Sequence, residues 1–404
     1  MKKGNIIYKN FFNKEHLNFS IGKKLNDKYK KVLREIENKF NIENNYFYSL
    51  NNNFKLNFRL EDIKRFKRFN NVVIIGMGGS VLGAEAIYNF IENKNKKNFY
   101  FINDVNEENF KQIKEKKLNK VLYIVISKSG ETIETLSNFY FLRILKKNSK
   151  NIIIITEKKH NHLYSLSKSM KLFHIEHKNY IGGRYSVLSE VGMLPALLMG
   201  ANIRKLRSNL LKKLKLKNNI FLKESTIKLT NLLQQGCYNN LVFCNYEPRL
   251  KKFLEWKQQL VAESLGKKGK GFFPTISKMP KDHHSMMQLY LDGPKDKIFY
   301  IFSSIVKDKK KIRVNNYNQE LKYLKNKTLN NIKEAQKNAF IGSLKKRGIP
   351  FREIKIKGFS EEYLGELFSY FMLEVIIIGM LNNVNPFNQK AVEEIKIKTR
   401  NLLL

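Results

Sequence analysis

Between residues 72 and 156 the chain carries four short apolar runs, at 72–75, 99–102, 121–126 and 152–155, which are too short for core helices and show no polar alternation. Strands that are covered on both faces read this way, and such strands are parallel ones flanked by helices. Helical patterns at about 82–91 and 131–145 alternate with the runs, a βαβ rhythm that predicts an open α/β sheet. The rhythm pauses over 186–221, which reads as largely helical. It resumes with strands at 241–243, 299–303 and 351–356 and helices at 249–265, 328–347 and 361–381. Residues 1–70 read as helical and lysine-rich, and the tail from 391 as a last helix.

At 404 residues the chain is longer than one ordinary core supports, so two domains are expected. The reading is an N-terminal helical segment with a first α/β domain over 1–205, a second over 206–385, and a C-terminal helix over 386–404. The border falls near 200–225. No apolar run reaches the roughly 18–20 residues of a membrane span. The apolar stretches near 193–199 and 373–381 read as core helices, and the N-terminus lacks the apolar centre of a signal peptide. Two cysteines, Cys237 and Cys244, give neither a disulfide framework nor a metal cage, which points to the cytoplasm.

The formal charge is +41. It comes mostly from lysines spread through every region (Lys2, Lys14, Lys96, Lys212 and Lys345 among them) and is accompanied by many Asn, Ile, Phe and Tyr. A nucleic-acid footprint concentrates on one face or arm. The scatter therefore argues against a specific nucleic-acid partner, and no membrane partner is expected. Such a field still draws in small anions, phosphate esters included.

Six segments carry candidate chemistry. Gly76-Met77-Gly78-Gly79-Ser80 follows a strand and opens a helix, where glycines admit a ligand close to the backbone and free N–H groups face an anion. The dinucleotide pattern fails, because Val81 stands where its next glycine would be. Ser127-Lys128-Ser129-Gly130-Glu131-Thr132 again joins strand to helix and offers three hydroxyls and an ammonium as a phosphate cradle; Glu131 should point away from it. Arg184, after Gly182-Gly183, can hold an anionic intermediate with its planar fork. Glu263 falls in the last turn of the 249–265 helix, where the negative end of the dipole suits a carboxylate to general-base work near neutral pH. In Asp282-His283-His284-Ser285, adjacent histidines point opposite ways, so one acid and one structural histidine fit better than a metal site. The segment from Pro386 to Lys396 opens an amphipathic helix. Taken alone, each has a bland reading as a turn, a cap or a solvated face.

In this order, from about 72 to 397, the segments resemble the phosphoglucose isomerase family, bacterial type. Gly182-Gly183-Arg184-Tyr185-Ser186-Val187-Leu188-Ser189, the stretch from Gln259 through Glu263-Ser264 to Gly266-Lys267, and the spacing Gln389, Glu393, Lys396 carry the resemblance. It implies two sugar-isomerase (SIS-type) doubly wound α/β domains with mainly parallel sheets. It implies reversible conversion of glucose 6-phosphate to fructose 6-phosphate without cofactor or metal, in glycolysis and gluconeogenesis. It also implies a homodimer in which the loop with His284 is supplied by the other subunit. By resemblance, Glu263 is the base that shuttles a proton between C2 and C1 through a cis-enediol, and Arg184 stabilises the enediolate. His284 and Lys396 open the sugar ring; Ser80, Ser127, Lys128, Ser129 and Thr132 hold phosphate; Gly79, Gln259 and Gln389 line the substrate. The chain departs from the family at Leu265, where relatives carry a polar residue, at Met286 and Met287, where an aromatic pair is common, and at His283, usually Gln. A dual glucose/mannose phosphate isomerase is disfavoured by the Arg184 segment and the C-terminal signature. A non-catalytic sugar-phosphate sensor is disfavoured because every catalytic position is filled.

Overall fold

The computed structural model describes residues 6–91, 97–115, 120–208, 210–211, 220–305, 308–314 and 319–404. Lys2, Lys96, Lys212 and part of the expected border at 200–225 lie outside them. Among the described residues, ten strands form two five-stranded sheets. In chain order they are β1 (Ile6–Phe11), β2 (Asn71–Gly76), β3 (Asn98–Ile102), β4 (Val121–Ile126), β5 (Ile152–Thr156), β6 (Phe173–Glu176), β7 (Asn240–Asn245), β8 (Phe273–Lys278), β9 (Lys297–Ser304) and β10 (Phe351–Ile356). The first sheet, ordered β3-β2-β4-β5-β6, is parallel throughout. The second, β1-β10-β9-β7-β8, is parallel except for β1, which runs against β10 with Ile6 opposite Ile356. These are the two doubly wound α/β units that the βαβ rhythm predicts.

The N-terminal segment differs from its all-helical expectation. The amphipathic helix Phe19–Lys39 is present and buries Leu25, Tyr29, Val32, Leu33 and Ile36 along one stripe. The strand β1 precedes it and joins the second sheet. Its alternation, Ile6 and Tyr8 buried and Lys9 exposed, is the period-two pattern of a strand.

Side-chain alternation in the strands builds three apolar layers. Val72 and Ile74 of β2 face the same continuous core as Leu241 and Phe243 of β7 and Ile354 of β10, so the inner faces of both sheets share it. Val73 and Ile75 face a separate outer cluster with Ile152 and Ile154. Val242, Cys244, Phe299 and Ile301 face a third.

The shared core holds helix Glu361–Leu381, which is mostly apolar and buried on nearly every side. By length and composition the helix could cross a membrane, which corrects the shorter run read from sequence; 94% of its apolar window is buried inside the protein, as for a helix at the centre of a large core. Its Glu374 meets Arg352 of β10 in a buried ion pair; Arg352 also donates to the Tyr370 hydroxyl at 2.7 Å and to Asn10 Oδ1 at 2.8 Å. Replacing Arg352 with Met strands the Glu374 carboxylate in that core. A loss of about 3–5 kcal/mol is expected for breaking such a pair, read as a lower urea midpoint. A change below about 1 kcal/mol would show that Glu374 is served without Arg352.

Candidate active site

In the first sheet the connection from β2 runs to one side (β3) and β4 lies on the other, so the strand order reverses between β2 and β4. Open α/β sheets bind ligands outside the carboxyl ends of their strands at such a point. There Gly76 pairs with Ile126, and the loops beyond them are the glycine loop and the hydroxyl loop of the sequence. The glycine loop turns tightly at Gly78–Ser80, with Gly78 at φ 52°. A side chain at Gly78 would meet Gln259 Nε2, and a Cβ at Gly79 would overlap the carbonyl of Gly183 and the amide nitrogen of Arg184. Both glycines are small because another part of the chain lies against them.

That part is helix Lys251–Leu265 of the second unit, together with the turn Gly183–Leu188. Trp256, fully buried, donates its indole N–H to the Arg184 carbonyl at 3.0 Å. Arg184, 2% exposed, then reaches along the same helix. Its Nε donates to Ser264 Oγ at 2.8 Å, and its Nη1 donates to Glu263 Oε2 at 3.1 Å and Gln389 Oε1 at 2.7 Å. Its Nη2 donates to the carbonyls of Pro386, at 2.6 Å, and Asn388, at 3.1 Å. Gln259 Nε2 donates to the other Glu263 oxygen at 2.7 Å. One turn separates Gln259 from Glu263, so the amide sits directly above the carboxylate. The helix places Glu263 in its last turn, as expected. The sequence reading considered only the dipole there; the structure adds a guanidinium and an amide to the carboxylate.

Beside Glu263, between the end of this helix and residues 383–392, lies a cavity of about 810 Å³ that Gln389 and Lys267 also line. Lys267 closes the helix end by donating to the Ser264 carbonyl at 2.9 Å and the Asn385 carbonyl at 2.7 Å. Burial, with the Arg184 charge adding to it, lowers its ammonium to a pKa of about 8.

The hydroxyl loop is gathered as expected. Ser127 Oγ lies 2.8 Å from Thr132 Oγ1 and 3.5 Å from Ser129 Oγ, and it accepts from the Gly130 N–H. Thr132 stands at the mouth of helix Ile133–Phe141; Glu131 is exposed. The ammonium departs from the expectation. Lys128 donates to the Asn179 carbonyl at 2.6 Å and stands 3.6 Å from Glu157, turned toward the neighbouring strand ends. Burial lowers its pKa and Glu157 works the other way.

The two histidines differ in their surroundings. His283 is half-buried, packs edge-on to Tyr246 and shares a 2.7 Å hydrogen bond with its hydroxyl. Burial, reinforced by His284, lowers its pKa. His284 is exposed, and among the described residues its ring makes no hydrogen bond. Lys396 lies on helix Lys390–Leu402, which has no buried residue, and pairs with Glu393 at 2.7 Å. Among the described residues neither His284 nor Lys396 makes a hydrogen bond or ion pair with Glu263. The structure thus brings Gly79, Arg184, Gln259, Glu263 and Gln389 together and leaves Lys128, His284 and Lys396 apart from them. Tyr185 and Trp256, which hold Arg184 and its surroundings, escaped the sequence reading. Trp256, the one tryptophan of the chain, lying two turns before Glu263, was the available signal.

A carboxylate bracketed by a guanidinium and an amide, on a helix packed against the switch point of a parallel sheet, is the layout of an α/β enzyme that acts on a small polar substrate. Comparison with known proteins narrows the class. The sequence model of the family described as phosphoglucose isomerase matches residues 62–402. The probable glucose-6-phosphate isomerase of Methanococcus maripaludis is 32% identical, over 97% of this chain and 91% of its own. The glucose-6-phosphate isomerase of Methanocaldococcus jannaschii is 33% identical, over 83% and 85%. Among solved structures, a glucose-6-phosphate isomerase from Chlamydia trachomatis shares the fold at 17% identity, with a TM-score of 0.77 over 99% of this chain and 88% of that one. The chain belongs to the phosphoglucose isomerase family.

Proposed function

We propose that this chain interconverts glucose 6-phosphate and fructose 6-phosphate by ring opening and proton transfer through a cis-enediol, a step of glycolysis and gluconeogenesis. The observation that carries the reading is Glu263, held between Arg184 Nη1 and Gln259 Nε2 beside the switch point of the first sheet. A proton next to a carbonyl is weakly acidic, so its removal needs a fixed carboxylate and a positive charge where the enediolate oxygen forms. Glu263 takes the C2 proton and returns it at C1, and Arg184 faces the developing charge. Ser80, Ser127, Ser129 and Thr132 hold the phosphate, and Lys128 joins them by leaving Asn179 and Glu157. Phosphate binding, remote from C1 and C2, holds the open chain in a reactive pose. Gly79, Gln259 and Gln389 line the sugar. No cofactor or metal enters the scheme.

Ring opening falls to His284 and Lys396, which a second copy of the chain would bring to the site. Two features support a homodimer with shared sites. The helix carrying Lys396 has no buried residue and leaves Val392, Ile395 and Leu402 exposed along one side, an apolar face that a neighbouring subunit would cover. His284, exposed and without a hydrogen-bond partner among the described residues, is free to be lent. The two cysteines are unpaired, in keeping with a cytoplasmic setting.

The test is a coupled assay from fructose 6-phosphate, with glucose-6-phosphate dehydrogenase and NADP reporting product and EDTA present. Rapid turnover is expected; a folded protein with none overturns the reading. Sharing of sites has its own test. Glu263→Gln and His284→Gln subunits are refolded together. In a mixed dimer one site carries both lesions and the other neither, so about a quarter of wild-type turnover should return. Activity no higher than that of the two variants apart would place His284 in its own subunit's site.

A further inference from the structure

Arg184 has five N–H donors, the full complement of a guanidinium, and in this structure all five are engaged. Nε is held by Ser264 Oγ, the two Nη2 protons by the carbonyls of Pro386 and Asn388, and the two Nη1 protons by Glu263 and Gln389. The five acceptors differ in access. Ser264 and Pro386 are buried, whereas Glu263 and Gln389 are partly open, Asn388 is exposed, and all three line the cavity beside the carboxylate. A substrate oxygen therefore reaches the fork from the cavity side, and at Nη1 it does so by replacing or sharing a side chain, Gln389 or Glu263, where the Nη2 partners are main-chain carbonyls. The direction of Nη1 is set by what grips the far edge of the plane.

That grip is a closed proton chain. The Tyr185 hydroxyl lies 3.2 Å from the Pro386 carbonyl, which can only accept, and 2.8 Å from Ser264 Oγ. One assignment serves every contact: Arg184 Nε–H donates to Ser264 Oγ, the Ser264 hydroxyl to Tyr185 Oη, and the Tyr185 hydroxyl to Pro386. Both side chains are essentially inaccessible, Ser264 at 0% and Tyr185 at 1%, so water cannot stand in for either. The Tyr185 ring is fixed by Tyr46 and Phe387, with centroids at 4.8 Å and 5.4 Å. Ser264 follows Glu263 directly, so the same turn of helix that presents the carboxylate also holds the guanidinium.

We propose that Ser264 and Tyr185 are positioning residues for the isomerisation: they lock the rotation of the Arg184 plane and so aim Nη1, the nitrogen that already meets Glu263, at the developing enediolate. This rests on the isomerase reading. The enediolate exists only during reaction, so a mis-aimed Nη1 should lower kcat and spare binding of a sugar phosphate that lacks the carbonyl.

The experiment measures kcat, the inhibition constant of a hexitol 6-phosphate, and the thermal midpoint for Ser264→Ala, Tyr185→Phe and the double variant. Misplacement of a catalytic group by about 1 Å costs on the order of a hundredfold. Ser264→Ala, which removes the acceptor of Nε, should lose roughly tenfold to a hundredfold in kcat on that scale. Tyr185→Phe should lose less, about threefold to tenfold, because Ser264 still accepts from Nε. Hexitol phosphate affinity should stay within about twofold in both. The double variant should be no worse than Ser264→Ala, since both act through one chain of hydrogen bonds. The inference is overturned if kcat stays within about twofold, if hexitol affinity falls with kcat, or if the losses multiply. Should Ser264→Ala fail to fold, Tyr185→Phe decides alone, because it keeps the packed ring. Wild-type protein without turnover would refute the isomerase reading itself, and that outcome is distinct from every one above.

Discussion

Glu263→Gln is expected to abolish nearly all isomerisation, by three to four orders of magnitude, near the upper end of what a general base contributes (about 10²–10⁴), while the protein folds as before. The amide has nearly the shape of the carboxylate and no useful basicity. It also fits its surroundings poorly. Arg184 Nη1 and Gln259 Nε2 both donate to this side chain, and an amide has one acceptor oxygen where the carboxylate has two. One donor is therefore left opposite an NH₂ group, at a cost of about 1–3 kcal/mol. The measurement is turnover in the coupled assay beside a thermal melt. Residual activity above a tenth of wild type would remove Glu263 from the role of base.

The second large effect is expected from the smallest change. Gly79→Ala adds one methyl group where the glycine loop touches the backbone of Gly183 and Arg184. No flexible side-chain tip can yield there, so the two loops must separate. Overpacking of this sort costs about 1–3 kcal/mol. The functional loss should be larger, because the backbone displaced is that of Arg184, whose fork is aimed at Glu263. A fall in kcat of at least about a hundredfold is expected. Turnover within threefold of wild type would mean that the contact relaxes elsewhere.

The interior of the fold was plain in the sequence and its borders were not. Strands β2, β4, β5, β7 and β9 are covered on both faces and show as apolar runs; β10 is as buried but carries Arg352, Glu353 and Lys355. The strands that went unread, β1, β6 and β8, all lie at sheet edges. An edge strand is half wet, so Lys9, His174 and Lys278 interrupt it, and β8 even tolerates Pro274, whose missing N–H an edge can spare. The candidate site divides on similar lines. Arg184, Gln259, Glu263 and Gln389 sit on short or tightly packed arms, and their motifs anticipated the cluster. Lys128 and Lys396 carry long, adaptable stems, and tertiary neighbours (Asn179 and Glu157 for one, Glu393 for the other) decide where each ammonium rests. Tyr185 and Ser264 stand in the stretches that carry the family resemblance, but their link to Arg184 was not legible, because a hydrogen-bonded chain inside an apolar layer leaves no periodicity to detect.

The pairing of β1 with β10 bears on how the chain is made. All strands of the first sheet lie between Asn71 and Glu176, so that sheet can close while synthesis continues. The second sheet cannot. Its strand Ile6–Phe11 is translated long before its one partner among the described strands, Phe351–Ile356. At elongation rates of about 5–20 residues per second, the Ile6–Phe11 edge waits tens of seconds with its backbone donors unsatisfied. That interval is when a nascent chain is open to chaperones and to mispairing with another copy. The lysines around this segment, Lys9 and Lys14 among them, keep the waiting edge charged and apart from its neighbours.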